Sequence, residues 1–565
     1  MNSFAKQTAC ALALAVGVWA PAARAQNSQP KAVSAIPGQR PGVPLPAATK
    51  DGIPMSLDQA IGLALANNQD LNVTVNAAES TQWLLFSDKG IFDPLLLGSV
   101  SRSHSEQPAS SVLTGASVFN TDITQFSASA AQLLPIGGTF TMGLTGENQK
   151  TNSTFSSVNP AKTAGFTLSY IQPLARNFGY DTTTWQIRIA KDTRDASYQD
   201  YVRSIQNMVN TVEQAYWDLV YALQNLQVKK ESLVIAQDLN RITKIKIDVG
   251  SLAPIDITQT EVGIANAEQD IITADGLIGL AQDNLKRQLN FDPELWGATP
   301  IVPTDEVRAE NVQINVREGV KGAVLNRPEV IKQAYFTDAD RIRYDYWKNQ
   351  TLPGVNFVGS YGGVGLAGQF FVPDPSDPTG QRLIPDGSSP ASDAFSDALR
   401  FKNKNWSIGL NVTYPILNRA ARGQRGAAQY TWESDKALLI TTQQDVIVNV
   451  LAAARVIDTS ARQIVAAQKG RELAEKNLDA EKKKFDNGMS TTFQVNQIQR
   501  DLSTARTTEL QALAAYRKAV AAYHLAVADI LTWKGIHVEG LPESQPISVV
   551  PPPGVAAATA EPQTK

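Results

Sequence analysis

Cysteine occurs once in 565 residues, histidine three times, and 51 basic against 54 acidic side chains leave a net charge of only −3. A single cysteine excludes a disulfide scaffold and a cysteine-ligated zinc module. The three histidines, His104, His524 and His537, are scattered without ligand spacing, so the sequence offers neither a metal site nor a cofactor. Balanced charge argues against a nucleic-acid binder that relies on a basic surface. No G-x-S-x-G, H-E-x-x-H or P-loop stands in a plausible context, and the chain reads as a non-enzyme. Beyond residue 25 no stretch approaches the 18 or more consecutive apolar residues of a membrane helix. If the chain enters a membrane, it must do so as a β-barrel.

Residues 1–25 have the order of a secretory signal: Lys6, an apolar run over 9–20, then Ala23-Arg24-Ala25 as the cleavage site. Cys10 falls inside this segment without the glycine that a lipoprotein signal places before it, so the mature chain is expected to lack thiols and to be exported from a Gram-negative cell. A linker rich in Pro, Ala and Gly is expected at 26–54 and a disordered tail at 537–565, which carries Pro551-Pro552-Pro553.

Between these ends the chain repeats itself. Leu65-Ala66-Asn67-Asn68-Gln69-Asp70-Leu71 corresponds to Val324-Leu325-Asn326-Arg327-Pro328-Glu329-Val330, and residues 166–174 correspond to 408–416. Asp248-Val249-Gly250-Ser251 corresponds to Asp486-Asn487-Gly488-Met489. The pattern predicts two tandem copies of one unit: 55–296, with strands within about 92–173 and a helical hairpin over about 180–290, and 316–536, with strands within about 352–416 and a hairpin over about 420–535. Residues 297–315 connect them.

Period-two alternation marks the strands. Phe140, Met142 and Leu144 alternate with threonines; Phe166, Leu168 and Tyr170 alternate with Thr167 and Ser169; Val355, Phe357 and Tyr361 and then Trp406, Ile408, Leu410 and Val412 do likewise. Strands of about ten residues with aromatics near their ends suit a lipid-facing wall around a wet interior better than a sandwich. Residues 122–149, split by Leu134-Pro135-Ile136-Gly137-Gly138, read as an additional hairpin that either widens the wall or lies outside it. Residues 366–404 read as a long polar loop. Steps of three and four along Ile205, Val209, Val212, Tyr216 and Leu219, along Ile264, Ala267, Ile271 and Ala274, and along Val446, Val450, Ala453 and Ile457 are coiled-coil seams. Single-chain bacterial membrane barrels begin at about eight strands. Two to four strands in the first copy and two in the second are too few, so several chains must share one barrel.

As a set these features resemble the TolC outer-membrane efflux channels over about residues 55–535. They comprise Ser56-Leu57-Asp58-Gln59-Ala60, the strand ends at Gln172-Pro173-Leu174 and Tyr414-Pro415-Ile416, the glycine tips and the duplication. The resemblance implies an α+β membrane protein: a transmembrane antiparallel β-barrel shared by a homotrimer and continuous with a long coiled-coil α-helical barrel. It implies a passive exit duct of tripartite efflux or type I secretion. The duct would sit in outer-membrane lipid, extend into the periplasm, and pair with a periplasmic adaptor (membrane fusion) protein and an inner-membrane pump or secretion ATPase. The rival reading is a soluble periplasmic coiled-coil scaffold or adaptor.

The same resemblance assigns the sites. Pro173 and Pro415 stand at the strand-to-helix turns. Gly250, Ser251, Leu252 and Ala253, with Gly488, Met489, Ser490 and Thr491, form the tips that contact the adaptor. Family members often ring the closed end with carboxylates six and nine residues past the second glycine; here those positions are Gln494 and Gln497, and Ser490 replaces the family's arginine. Asp256 is then the nearest ring charge, or a cap of the returning helix. Packing of Phe485 and Phe493, rather than salt links, is expected to hold the closed state.

Overall fold

The computed structural model describes residues 52–108, 117–297, 299–308, 314–376 and 382–538. The expected signal segment, most of the linker and nearly all of the tail lie outside these residues. Single-turn helices aside, the described elements are, in chain order, β1 (Ile53–Met55), α1 (Leu57–Asn67), α2 (Gln69–Lys89), β2 (Leu95–Pro108), β3 (Val118–Leu133), β4 (Thr139–Thr151), β5 (Val158–Pro173), α3 (Trp185–Asp248) and α4 (Ile255–Gln288). There follow β6 (Ile301–Pro303), α5 (Val316–Asn326), α6 (Pro328–Gln350), β7 (Gly354–Pro373), β8 (Leu383–Ser388), α7 (Ala391–Leu399), β9 (Asn403–Thr413), α8 (Arg419–Asp486) and α9 (Thr492–Val527). They divide into two compact units, one built on the β2–β5 and β7–β9 strands, the other on the helical hairpins.

The strand unit is one antiparallel sheet in the order β2-β3-β4-β5-β7, with β8 and β9 side by side on the far edge of β7. The segment at 122–149 therefore lies inside the ladder, and its turn is closed by Leu134 N–H to Gly138 O (2.7 Å), with Gly137 at φ +88°. Directly paired residues share a face, so the register sorts every side chain. Leu96, Phe126, Met142, Leu168, Tyr361 and Trp406 fall on one face; Ser101, Gln125, Thr141, Thr167, Ser360 and Ser407 fall on the other. One face is apolar and the other is hydroxyl and amide, as the alternation requires. Six long strands contribute, and every residue of the two edge strands β2 and β9 is exposed.

The expectation of a polar loop over 366–404 is corrected here. Residues through Pro373 belong to β7, Leu383–Ser388 is β8, Ala391–Leu399 is α7, and residues 377–381 lie outside the described ones. Ala391, Ala394 and Ala398 are buried at helical spacing, and Ala394 and Ala398 pack with Ala164 and Ala367 of the sheet. Glycine makes the close approach possible: a Cβ at Gly363 or Gly365 would collide with the carbonyl oxygens of Ala398 and Ala394. Phe395 meets Phe126 at 5.6 Å between ring centroids.

In the helical unit, the seams read from sequence on α3 and α8 are largely buried, whereas Ile264, Ala267 and Ile271 of α4 are half-buried. Val209, Val212, Tyr216 and Leu219 join Met55, Leu63, Leu71, Leu285 and Ile301 in one cluster; Val446, Val450, Ile457 and Ile464 join Val324, Val330, Tyr516 and Val520 in another. At 64 residues α3 is roughly 100 Å long at 1.5 Å per residue. The two corresponding helix breaks have the same geometry: Asn68 caps α1 at φ −64°, ψ 125°, and Arg327 caps α5 at φ −67°, ψ 130°. One finding departs from the sequence reading. By length and composition α8 carries an 18-residue window apolar enough to cross a bilayer, and only 17% of that window is buried. Its apolar residues supply the buried seam and, scattered over the rest of the helix surface, exposed Ile440, Val448, Val456, Val465 and Leu473.

A small polar knot fixes the start of the fold. The Ser56–Gln59 capping box opens α1, and Leu57 N–H donates to Asp305 Oδ2 (2.8 Å). The Tyr216 hydroxyl donates to the same oxygen (2.5 Å) and accepts from Asp305 N–H (3.3 Å). Burial pushes the Tyr216 phenol up, which keeps it a donor. Tyr216→Phe leaves the carboxylate short of a partner and is expected to cost about 1–3 kcal/mol, read as a lower thermal midpoint of the helical signal in circular dichroism.

Candidate functional site: the helical tips

Both hairpins reverse through the same device. Gly250 has φ +71° and Gly488 φ +75°. Gly250 N–H donates to Ile247 O (2.9 Å) and Ser251 N–H to Lys246 O (2.7 Å); Gly488 N–H donates to Phe485 O (3.1 Å) and Met489 N–H to Lys484 O (2.8 Å). Each is a Schellman end, in which a residue in the left-handed region satisfies the last carbonyls of its helix. Only glycine takes that conformation without strain, which is why the two positions were readable from sequence.

Beyond the glycines the tips differ. On the first, the N-cap position is Pro254, which has no capping side chain; Asp256, in the first turn of α4, reaches back to accept from Ala253 N–H (3.2 Å), and Thr492 Oγ1 of the second tip lies 3.5 Å from its other oxygen. On the second, Thr491 caps α9 through Gln494 N–H (3.3 Å). Lys246 joins the two: its ammonium donates to Phe485 O (2.5 Å), sits 4.1 Å from the centroid of the Phe485 ring, and lies 3.7 Å from Asp486 Oδ1. Asn496 adds a bond to Gln259 O (3.0 Å).

The two phenylalanines have different surroundings. Phe485 is 3% exposed, in a cluster with Leu239, Leu478, Val495, Ile498 and Leu502, whereas Phe493 is 57% exposed and lies outside that cluster. Gln494 is exposed, and Gln497 is tied to its own helix, accepting from Arg500 (2.7 Å) and donating to Asp501 (3.2 Å). Leu252 packs against the Phe485 cluster, while Met489 is 71% exposed. Ser490 turns inward and donates to Glu481 Oε1 (2.6 Å), and Lys484 holds the other oxygen (3.0 Å). Sequence reading missed Glu481 and Lys246, because nothing local marks a partner that stands nine residues back or on another helix. At the strand ends, Pro173 is the last residue of β5 and Pro415 follows β9 by two residues.

An antiparallel sheet with one apolar face and two bare edges, combined with paired long helical hairpins, defines the architecture of an outer-membrane channel subunit. The family profile described as "Outer membrane efflux protein" matches residues 125–290 and 387–527, more than half of the chain. The chain belongs to the outer membrane efflux protein family, a family of transport channels rather than enzymes, and it is an outer-membrane protein. Its fold is similar to the Campylobacter jejuni CmeC outer membrane channel, with TM-score 0.58, 17% identity, and 84% of this chain and 86% of that one covered. It is likewise similar to the outer-membrane channel OprN (TM-score 0.60, 12% identity, 88% and 95% covered) and to the open-state MtrE channel of Neisseria gonorrhoeae (TM-score 0.55, 14%, 84% and 89%). Among curated proteins, Toxin and drug export protein A of Aggregatibacter actinomycetemcomitans is 24% identical over 161 residues, 27% of this chain and 34% of that protein. The match thus spans about a third of that relative's length. The soluble-scaffold reading is not favoured.

Two expectations follow from the tips. Ser490 first, then Lys484, holds the Glu481 carboxyl below the ordinary carboxylate value. A carboxylate lowered in the folded state stabilises the fold above its ordinary value, and that contribution is lost as pH falls through the lowered one. Ser490→Ala removes the larger cause, so a fluorophore at Met489→Cys should report loosening of the tip at a higher pH than in the parent. Lys246→Met should loosen the same label at neutral pH and cost about 1–3 kcal/mol, since the Phe485 carbonyl loses a charged donor.

Proposed function

We propose that the chain is the exit duct of a tripartite efflux or type I secretion system, acting as a homotrimer whose copies share one β-barrel. The observation that carries this is the sheet of six long strands and the short β8, apolar on one face and polar on the other, with nothing paired beyond either edge among the described residues. Open edges are not tolerated in lipid, and six strands are fewer than the roughly eight of the smallest single-chain barrels. Pairing of β9 of one copy with β2 of the next satisfies both edges. Three copies then make a wall of 18 strands, about 36 Å across for strands ~4.8 Å apart and tilted by ~40°. Matching helix breaks and matching tip turns support a tandem duplication.

In this reading the helices form the periplasmic tunnel. The tips at 250–253 and 488–491 meet the hairpins of a periplasmic adaptor, which links the duct to an inner-membrane pump or secretion ATPase. Asp256, Gln494, Gln497 and Phe493 line the constriction. Its closure rests on neutral contacts, Phe485 packing within each copy and Phe493 serving the ring. A relative named for toxin and drug export supports an export role. The test is direct. Full-length protein should fractionate with the outer membrane, and purified trimer should conduct ions across planar bilayers, with Phe493→Ala raising the closed-state conductance. Recovery in the soluble periplasm, or trimer without conductance, overturns the reading.

A further inference from the structure

On the apolar face of the sheet, cations gather at one end only. Arg102, Thr124, Asn148, Lys162 and Ala367 are successive partners across five strands. Lys150, opposite Asp122, is one step further toward the loop end, and Lys404 is opposite Gly363 beneath α7. Below this level the same face carries Leu96, Ala130, Met142, Leu168, Tyr361 and Trp406, with no charge. The nearby carboxylates are engaged: Asp122 and Glu106 with His104, Asp397 with Lys402. The segregation is specific to one face, because the polar face at this level carries Ser101, Ser103, Gln125 and Thr163, with Glu147 as its charged residue.

The short helix α7 locates the boundary independently. Its alanines and Phe395 seat on the apolar face, while Ser392, Asp393 and Arg400 stand exposed on its outer side. An exposed carboxylate and guanidinium are expensive in hydrocarbon, so α7 lies at the level where hydrocarbon gives way to headgroups. Arg102 and Lys162 stand in the row of Ala367, at the outer end of the span that α7 covers, whereas Lys404 stands opposite Gly363 at its inner end, four residues along the strand.

We propose that this end of the apolar face binds a phosphorylated glycolipid of the outer leaflet. Acyl chains lie on the apolar rows, and the glucosamine phosphates meet Arg102 and Lys162, three strands apart in one row, with Lys150 above them. The inference rests on the reading of this face as the lipid-facing wall. Phosphate is the recognised group, and the adjoining apolar rows commit the site to a lipid rather than to free phosphate.

The test uses full-length protein purified in detergent and incubated with bisphosphorylated lipid A, its dephosphorylated form, or inorganic phosphate, with retained lipid measured by native mass spectrometry. Parent protein should retain the bisphosphorylated lipid in preference to the dephosphorylated one, and millimolar phosphate should not displace it. The triple variant R102Q/K150Q/K162Q should bind about tenfold more weakly or worse, since each interfacial cation contributes to such binding, whereas Glu147→Gln on the other face should bind as the parent does. Conductance of the triple variant in planar bilayers shows that its barrel is intact; if it does not conduct, Arg102→Gln and Lys162→Gln singly should each weaken retention severalfold. Equal retention of both lipids, displacement by phosphate, or an undiminished triple variant overturns the proposal while conductance leaves the channel reading standing. Loss of parent conductance overturns both.

Discussion

The backbone's need for hydrogen bonds in a medium that supplies none governs this molecule. Inside the sheet β3, β4, β5 and β7 satisfy one another residue by residue. At the margins β2 and β9 each offer a full ladder with nothing opposite. Water could satisfy those groups, but in the proposed reading the apolar rows beside them belong in lipid. On that reading a single chain is an incomplete object, and its assembly follows from peptide groups as much as from side-chain recognition.

Much of this was legible in the sequence because it rests on short-range rules. Alternation placed Phe140, Phe166, Phe357 and Trp406 on one face, and the register bears this out. Glycines 250 and 488 announced the helix reversals because only glycine suits the left-handed turn. The 3–4 spacing found the seams that are buried on α3 and α8. Residues 122–149 were recognisable as a hairpin, yet their place between β2 and β5 depends on pairing at long range, which no local pattern carries.

What stayed hidden shares one cause: partners distant in sequence. The helix at Ala391–Leu399 read as loop because Ser392, Asp393, Ser396 and Asp397 dominate its composition. Its Ala391, Ala394, Phe395 and Ala398 stripe gains meaning only against Gly363 and Gly365. Nothing in the sequence around Lys246 marks it, and it is the link between the tips. Ser490 was noticed as a missing arginine; the structure gives it a partner of its own in Glu481. Phe485 and Phe493, grouped by type, are separated by burial.

The polar face of the sheet has a quieter consequence. Ser99 bonds to Ser127 across β2 and β3, Ser360 to Ser407 across β7 and β9, and Thr145 to the backbone of Gly165. These hydroxyls turn to one another or to the main chain, and charge is almost absent among them. If this face lines the proposed duct, a solute sliding past it finds few groups waiting for a partner, so it is wetted without being held. Low adhesion, more than shape, suits the lining of an exit duct.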